Sequence, residues 1–195
     1  MPRYFILMAV LAGLFLCGPQ TVHASVSPVA VNEDPLVLVI NKSTHTLTLF
    51  KEGRAIKKYA CVFGVNPDGD KLQQGDNRTP EGTFYITDKE KLDNHPYLGR
   101  AWLGLSYPAE SHAERALNQS LISPEQYQAI LDANQTGELP PQNTSMGGWI
   151  GIHGGREDLT TEKINWTEGC IAMLDSDLEE LYSIIKPGIK VVIVS

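Results

Sequence analysis

LVLVINKSTHTLTLFKEGRAIKKYACVFGV, residues 36–65, is the stretch whose reading decides the fold class. Val, Ile, Leu, Thr and Phe crowd it, and in THTLTLF (44–50) the alternation is explicit, with Leu47 and Leu49 on one side of a strand and Thr46 and Thr48 on the other. Asn41-Lys42-Ser43 and Glu52-Gly53 interrupt the run with turn chemistry, so the segment reads as two or three strands joined by tight turns.

Downstream, NPDGDKLQQGDNRTPEGTFYITDKE (66–90) is a Gly/Asp/Pro-rich loop that enters a strand at Thr83–Thr87. No glycine-rich turn there leads into a helix, so it is no phosphate loop. Residues 110–137 change character. SHAERALNQS and SPEQYQAILDANQTG are short helical segments, with Ser123 as N-cap, Pro124 at the first helical position and Gly137 as the stop. This insertion is either a lid or padding on the fold. After LPPQNTSMGG the pattern gives a strand, WIGIHGG (149–155), a polar loop from Arg156 to Glu168, a helix from about Asp175 to Ile185, and a last strand, KVVIVS. Fold class is therefore mainly β, a β-rich α+β domain with a helical insertion near 110–137 and a helix near 175–185.

Upstream, MPRYFILMAVLAGLFLCGPQTVHASV joins one early cation, Arg3, to an apolar run from Tyr4 to Cys17 and a Val22-His23-Ala24 tail. These are the marks of a signal peptide cleaved after Ala24. Lipoprotein processing at Cys17 is a poorer reading, because Leu16 stands where a small residue belongs. The apolar run is shorter than the roughly 20 residues a membrane span needs, so no transmembrane segment is expected after cleavage. Residues 1–24 are thus read as the signal peptide, 25–35 as a linker and 36–195 as one domain, in a periplasmic or secreted protein. Cleavage removes one cation and no acid, leaving 15 basic against 23 acidic side chains and a net charge of −8. That balance, without a basic stripe, argues against a nucleic-acid partner.

Cysteine usage sharpens the question. With Cys17 removed, an oxidising compartment receives only Cys61 and Cys170. They either form one disulfide or leave a working thiol. Cys170 lies in NWTEGCIAM (165–173), after a glycine and before an apolar residue; His153 lies in GIHGG, flanked by Gly151, Gly154 and Gly155. A free thiol with a pKa of about 8.5 is mostly protonated at neutral pH, and a neighbouring imidazole can lower that value by several units. The bland alternatives are a histidine that satisfies a backbone carbonyl and a cysteine that fills a core position. Since His153 ends a strand, its truncation is expected to leave the fold intact. Two candidate ligands do not make a four-ligand zinc site, and His45, His95 and His112 lie in unrelated contexts, so no metal is expected.

On these residues the chain resembles the L,D-transpeptidase catalytic domain (YkuD-type) family, whose signature is His-Gly, a variable loop, then Ser/Thr-x-Gly-Cys. IHGG (152–155) and WTEGCIAM (166–173) supply both parts, and VLVINKSTHTLTLFKEG, NRTPEGTF and KPGIKVVIV resemble the family's first hairpin, Thr-Pro-x-Gly-x-Phe segment and closing strand. The resemblance implies a mixed β-sheet sandwich carrying a cysteine acyltransferase that needs no cofactor and acts on peptidoglycan stem peptides. Cys170 would be its nucleophile, His153 its base and the Gly154 carbonyl the group that orients the imidazole. Amides of Gly169 and Cys170 would donate to the oxyanion. Thr167, Arg78, Thr79, Gly64 and Arg156 become candidates for substrate binding. A turn before the strand explains Thr79-Pro80 equally well; Trp149 and Trp166 either wall the pocket or pack in the core, and Cys61 is read as a packed strand residue, with a place near the site as the alternative. Two positions depart from the pattern, Glu168 in place of the family's frequent His and Ala172 in place of its frequent Arg. Loss of the Arg removes a partner for a substrate carboxylate, for which Arg156, Arg78 and Arg100 are possible replacements. The implied activity is L,D-transpeptidation; the same site could instead serve as an L,D-carboxypeptidase or amidase, or persist in an inactive wall-binding module.

Overall fold

The structure, a computed structural model, describes residues 36–195; the signal peptide and linker expected over 1–35 lie outside the described residues. The opening segment forms three strands, β1 (Leu36–Asn41), β2 (Thr46–Lys51) and β3 (Arg54–Ala60). Its turns are built as the sequence indicates. Asn41 Oδ1 accepts from Ser43 Oγ and the Thr44 amide, both at 2.8 Å. Glu52 and Gly53 both take positive φ, 50° and 75°, the backbone that a tight hairpin between right-twisted strands requires. Leu47 and Leu49 are fully buried while Thr46 and Thr48 are not, as the alternation predicts.

Seven further elements follow in sequence: β4 (Gly82–His95), β5 (Gly99–Leu105), α1 (Glu110–Asn118), α2 (Pro124–Thr136), β6 (Gly151–His153), α3 (Glu157–Thr161) and β7 (Ile171–Ala172). The last two are α4 (Asp175–Ile184) and β8 (Lys190–Val194). Strands hydrogen-bond in the order β3-β2-β1-β8-β4-β5-β6-β7, with β1/β8 and β6/β7 parallel and the remaining pairs antiparallel. This is the mixed, β-rich α+β architecture expected. Its two halves meet along β4, which pairs with β8 through Gly82–Tyr85 and with β5 from Ile86 onward, across register shifts after Ile86 and Lys91. The core collects Leu38 and Ile40 from β1, Phe84 and Ile86 from β4, Leu103 and Leu105 from β5, Val191 and Ile193 from β8, and Leu178 and Leu181 from α4. Each such aliphatic side chain, fully buried, contributes about 1.5–3 kcal/mol.

Several elements differ from expectation, among them the short strand β7, which the sequence reading did not place. β4 runs well past Thr87 because DKEKLDNH, too polar to show a strand period, pairs with β5 while staying largely exposed. β5 has no counterpart in the sequence reading, and α3 occupies part of the loop from Arg156 to Glu168. In the insertion, Ser123 caps α2 with a full capping box, its Oγ accepting from the Gln126 amide at 3.2 Å and its amide donating to Gln126 Oε1 at 3.0 Å. Gly137 ends that helix in the left-handed region, φ 74°. Among the described residues, no helix is long and apolar enough to cross a membrane.

Candidate active site

Parallel pairing of β6 with β7 brings the two halves of the site together. Ile152 sits opposite Ile171 and His153 opposite Ala172, and the Met173 amide donates to the His153 carbonyl at 3.0 Å. Strand alternation carried one residue upstream of β7 puts Cys170 on the same face of the sheet as Ala172, and hence as His153. A second template holds the loop before Cys170. The amides of Trp166 and Thr167 both donate to the Phe63 carbonyl at 3.1 Å, the Val65 amide donates to the Thr167 carbonyl at 3.0 Å, and Phe63 donates to Asn165 Oδ1 at 2.9 Å. Gly64 lies so close beneath the neighbouring loop that a Cβ would strike the Asn77 carbonyl and press on Gly169 Cα. Gly169 itself has φ 140°, a backbone that side chains rarely adopt.

Two threonines fix the backbone at Cys170. Thr167 Oγ1 donates to the Cys170 carbonyl at 2.7 Å and accepts from the Gly169 amide at 3.2 Å; Thr79 Oγ1 donates to the same carbonyl at 3.4 Å and accepts from the Gly64 amide at 3.0 Å. Both side chains are fully buried. Replacing Thr167 by the isosteric valine leaves a buried amide without its acceptor and removes the shorter bond to the carbonyl. Thermal unfolding of Thr167→Val should report a loss of about 1–3 kcal/mol, and acylation of Cys170 should slow by about 10- to 100-fold as the thiol is displaced. An unchanged acylation rate would remove Thr167 from the positioning role.

His153 is fully buried among three rings: Tyr97 at 5.7 Å, Trp166 edge-on at 5.5 Å and Trp102 stacked at 6.2 Å, between centroids. His153 thus sits inside a packed ring cluster and not merely at a strand end, so an alanine there would open a cavity and cost stability. Its Nδ1 lies 2.8 Å from the Gly154 carbonyl, so that nitrogen carries the proton, and Nε2 is left as a buried acceptor with no partner among the described residues. Burial pushes the imidazole down to about 4, outweighing the Gly154 hydrogen bond and the Asp175 carboxylate. Asp175, at the start of α4, is itself buried and accepts the Arg100 amide at 2.9 Å; a Cβ on Gly99 or Gly154 would collide with it.

Cys61 and Cys170 are both free thiols. Cys61 packs in the core, and burial pushes its thiol well up. Cys170 is half-buried and directs its Sγ to the Trp149 carbonyl at 3.3 Å. Burial pushes this thiol up to about 11; the Gly151 amide and Lys71 pull it down, and Glu168 adds to the rise. The lowered thiol pKa expected from the sequence is not the resting state. Burial thus favours the uncharged form of both groups, since each is stripped of the water that would stabilise its charge.

Cys170 opens into a cleft of about 710 Å³. Tyr97, Trp102 and Leu98 line one part, the segment 142–150 another, and Lys71 and Glu168 lie within it. Trp149, at the rim, is 68% exposed and has φ 55°, a left-handed backbone that is costly for a bulky residue. The helices of the insertion do not line this cleft; they pack onto the fold, with Arg115 of α1 gripping Asp70 at 2.6 Å. Gly64, Thr79 and Thr167 lie behind Cys170, outside the cleft lining. Arg78 reaches the Asp70 carbonyl at 3.4 Å, Arg156 pairs with Asp158 at 3.3 Å and Arg100 with Glu179 at 3.6 Å, and none of the three lines the cleft. Lys71, Tyr97, Trp102 and Asp175 join the site without having been singled out in the sequence; a lysine and an aspartate among loop polars carry no local signal. No cluster of three or more His, Cys, Asp or Glu that could hold a metal occurs among the described residues.

Residues 35–194 match the family model described as YkuD, L,D-transpeptidase catalytic domain. No curated protein matches the sequence. Among solved structures, Bd1075 of Bdellovibrio bacteriovorus is similar at TM-score 0.53 and 16% identity, over 83% of this chain and 48% of that one. The helical cell shape determining protein Pgp2 of Campylobacter jejuni is similar at 0.53 and 21%, over 81% and 46%. An L,D-transpeptidase of Xylanimonas cellulosilytica is similar at 0.50 and 13%, over 83% and 61%. At these identities the likeness concerns the fold alone, and this chain spans just under half the length of the first two. With the family model covering the whole folded unit and its His-Gly and Thr-x-Gly-Cys elements ending on adjacent parallel strands, the chain belongs to the L,D-transpeptidase catalytic domain family.

Proposed function

We propose that this protein is a cysteine acyltransferase that performs L,D-transpeptidation on peptidoglycan stem peptides, exported after cleavage behind Ala24. The observation that carries the reading is the buried Nε2 of His153, an acceptor without a partner among the described residues, on the sheet face that also bears the half-buried Cys170. Cys170 Sγ attacks the carbonyl joining an L-centre to the terminal D-residue, and its proton passes to His153 Nε2. The Gly154 carbonyl keeps the imidazole in the tautomer that can accept it. The Cys170 amide donates to the oxyanion, while that of Gly169 is engaged by Thr167. Collapse returns the proton to the departing amine, releases the D-amino acid and leaves a thioester. An amine of a second stem then takes the acyl group, with His153 removing its proton.

A second reading, hydrolysis of the same thioester as an L,D-carboxypeptidase, has one observation in its favour: the helical insertion, the candidate lid against water, contributes no residue to the cleft lining. Incubation of the purified protein with tetrapeptide muropeptides, followed by mass analysis, separates the readings. Transpeptidation yields cross-linked dimers and a free D-amino acid, hydrolysis yields tripeptides and the same amino acid, and both must vanish in Cys170→Ala. Unaltered tetrapeptides with the parent protein would leave only a wall-binding module.

A further inference from the structure

The cleft holds a cation that the proposed chemistry does not use. Among the described residues that line it, Lys71 alone is cationic, against Glu90 and Glu168. Its side chain is almost completely buried, an unfavourable place for an ammonium unless partners compensate. Two do: Nζ donates to Asp76 Oδ1 at 2.7 Å and to the Gln73 carbonyl at 3.2 Å. An ammonium has three N–H groups, so one remains beyond these two contacts.

Asp76 is not free to follow the cation. Its Oδ1 also accepts the Arg78 amide at 3.1 Å, and its Oδ2 accepts the amides of Leu72 and Gln73 at 2.7 and 3.0 Å. The backbone of Lys71 is held from the other side, where Arg115 Nη2 donates to its carbonyl at 2.6 Å, and its stem passes close to Gly147. Lys71 is thus a fixed positive post with one donor to spare, near enough to Cys170 for its charge to act on the sulfur. Ala172, where the family's frequent Arg would stand, is fully buried, and Arg78, Arg100 and Arg156 are engaged outside the cleft.

We propose that Lys71 is the specificity-determining anchor for a free carboxylate of the acyl-donor peptide, the terminal one adjoining the bond that Cys170 attacks. The inference rests on the stem-peptide reading, and its test is a binding measurement that needs no turnover. In a Cys170→Ala background, calorimetry compares a stem tetrapeptide bearing a C-terminal carboxylate with the same peptide as its C-terminal carboxamide. The acid should bind roughly 10- to 100-fold more tightly, the range expected for a charged hydrogen bond in a partly desolvated site. Adding Lys71→Met should bring the two affinities together, whereas Lys71→Arg should retain most of the preference. Since Lys71→Met strands a buried carboxylate, the paired change Lys71→Met with Asp76→Asn supplies a second route to the same comparison. Equal affinity for the two peptides before Lys71 is changed, a preference that survives Lys71→Met or the paired change, or no binding of either peptide would each overturn the assignment. A binding preference with no turnover by the parent protein would instead count against the proposed reaction alone.

Discussion

Cys170→Ala should gain no mass when incubated with a carbapenem, while the parent chain gains one covalent adduct. The lactam carbonyl stands in for the stem-peptide carbonyl, and ring opening leaves the acyl group on sulfur, so the adduct reports the first half of the reaction directly. Cys61 lies fully buried in the core and offers no second site of attack. The companion change at His153 needs more care, because the imidazole is enclosed by Tyr97, Trp102 and Trp166 and alanine would open a hole there. Glutamine fills most of the space without providing a base. His153→Gln should therefore remain folded and acylate about 10²- to 10⁴-fold more slowly, the range for loss of a general base. An adduct on Cys170→Ala, or parental rates in a folded His153→Gln chain, would take the proposed roles away from these residues.

Alkylation of Cys170 by iodoacetamide should accelerate about tenfold per pH unit from pH 7 to pH 10, roughly a thousandfold in all, because only the thiolate reacts and its fraction keeps growing until the pKa is reached. Burial sets the direction, pushing the thiol up to about 11 and the imidazole down to about 4, so between these values both are uncharged. A preformed thiolate–imidazolium pair would behave differently, reacting at a nearly constant rate from below pH 7. Such a plateau would show that the pair is charged at rest. On the neutral reading, His153 accepts the thiol proton only as the sulfur attacks, so acylation should fall as the pH drops through about 4, where the imidazole becomes protonated.

How far the sequence could be read depended on the range of the interactions involved. The first hairpins, the Ser123 cap and the Gly137 stop are local, each set by residues a few positions apart, and all appear where the pattern places them. β5 and the far half of β4 are strands only because they pair with each other, and Asp88, Lys89, Glu90 and Lys91 show no apolar period that would announce them. At the site, the glycines beside Cys170 and His153 marked real close approaches: Gly64, Gly154 and Gly169 each leave no room for a Cβ. Thr79 and Thr167 were legible as motif residues, but their burial behind the Cys170 carbonyl was not. The cation was sought among arginines near the motif, whereas Lys71 enters the cleft because Asp76 and Arg115 fold its loop inward. The direction of the thiol's shift was hidden for a related reason: the sequence places an imidazole near a thiol, and only the packing reveals how strongly burial weighs against charge on either.

The position of β8 between β1 and β4 bears on the order in which the sheet can close. β8 follows every other described strand in the sequence, yet it joins the hairpins of residues 36–60 to everything from β4 onward. A nascent chain stopped short of Lys190 would hold two unjoined sheet fragments with raw edges facing each other, and α4 would lack the surface that Val191 and Ile193 complete. The sheet therefore closes only when residues 190–194 pair with both neighbours, so its two halves are joined by contacts between segments far apart in the chain, the kind that form slowly.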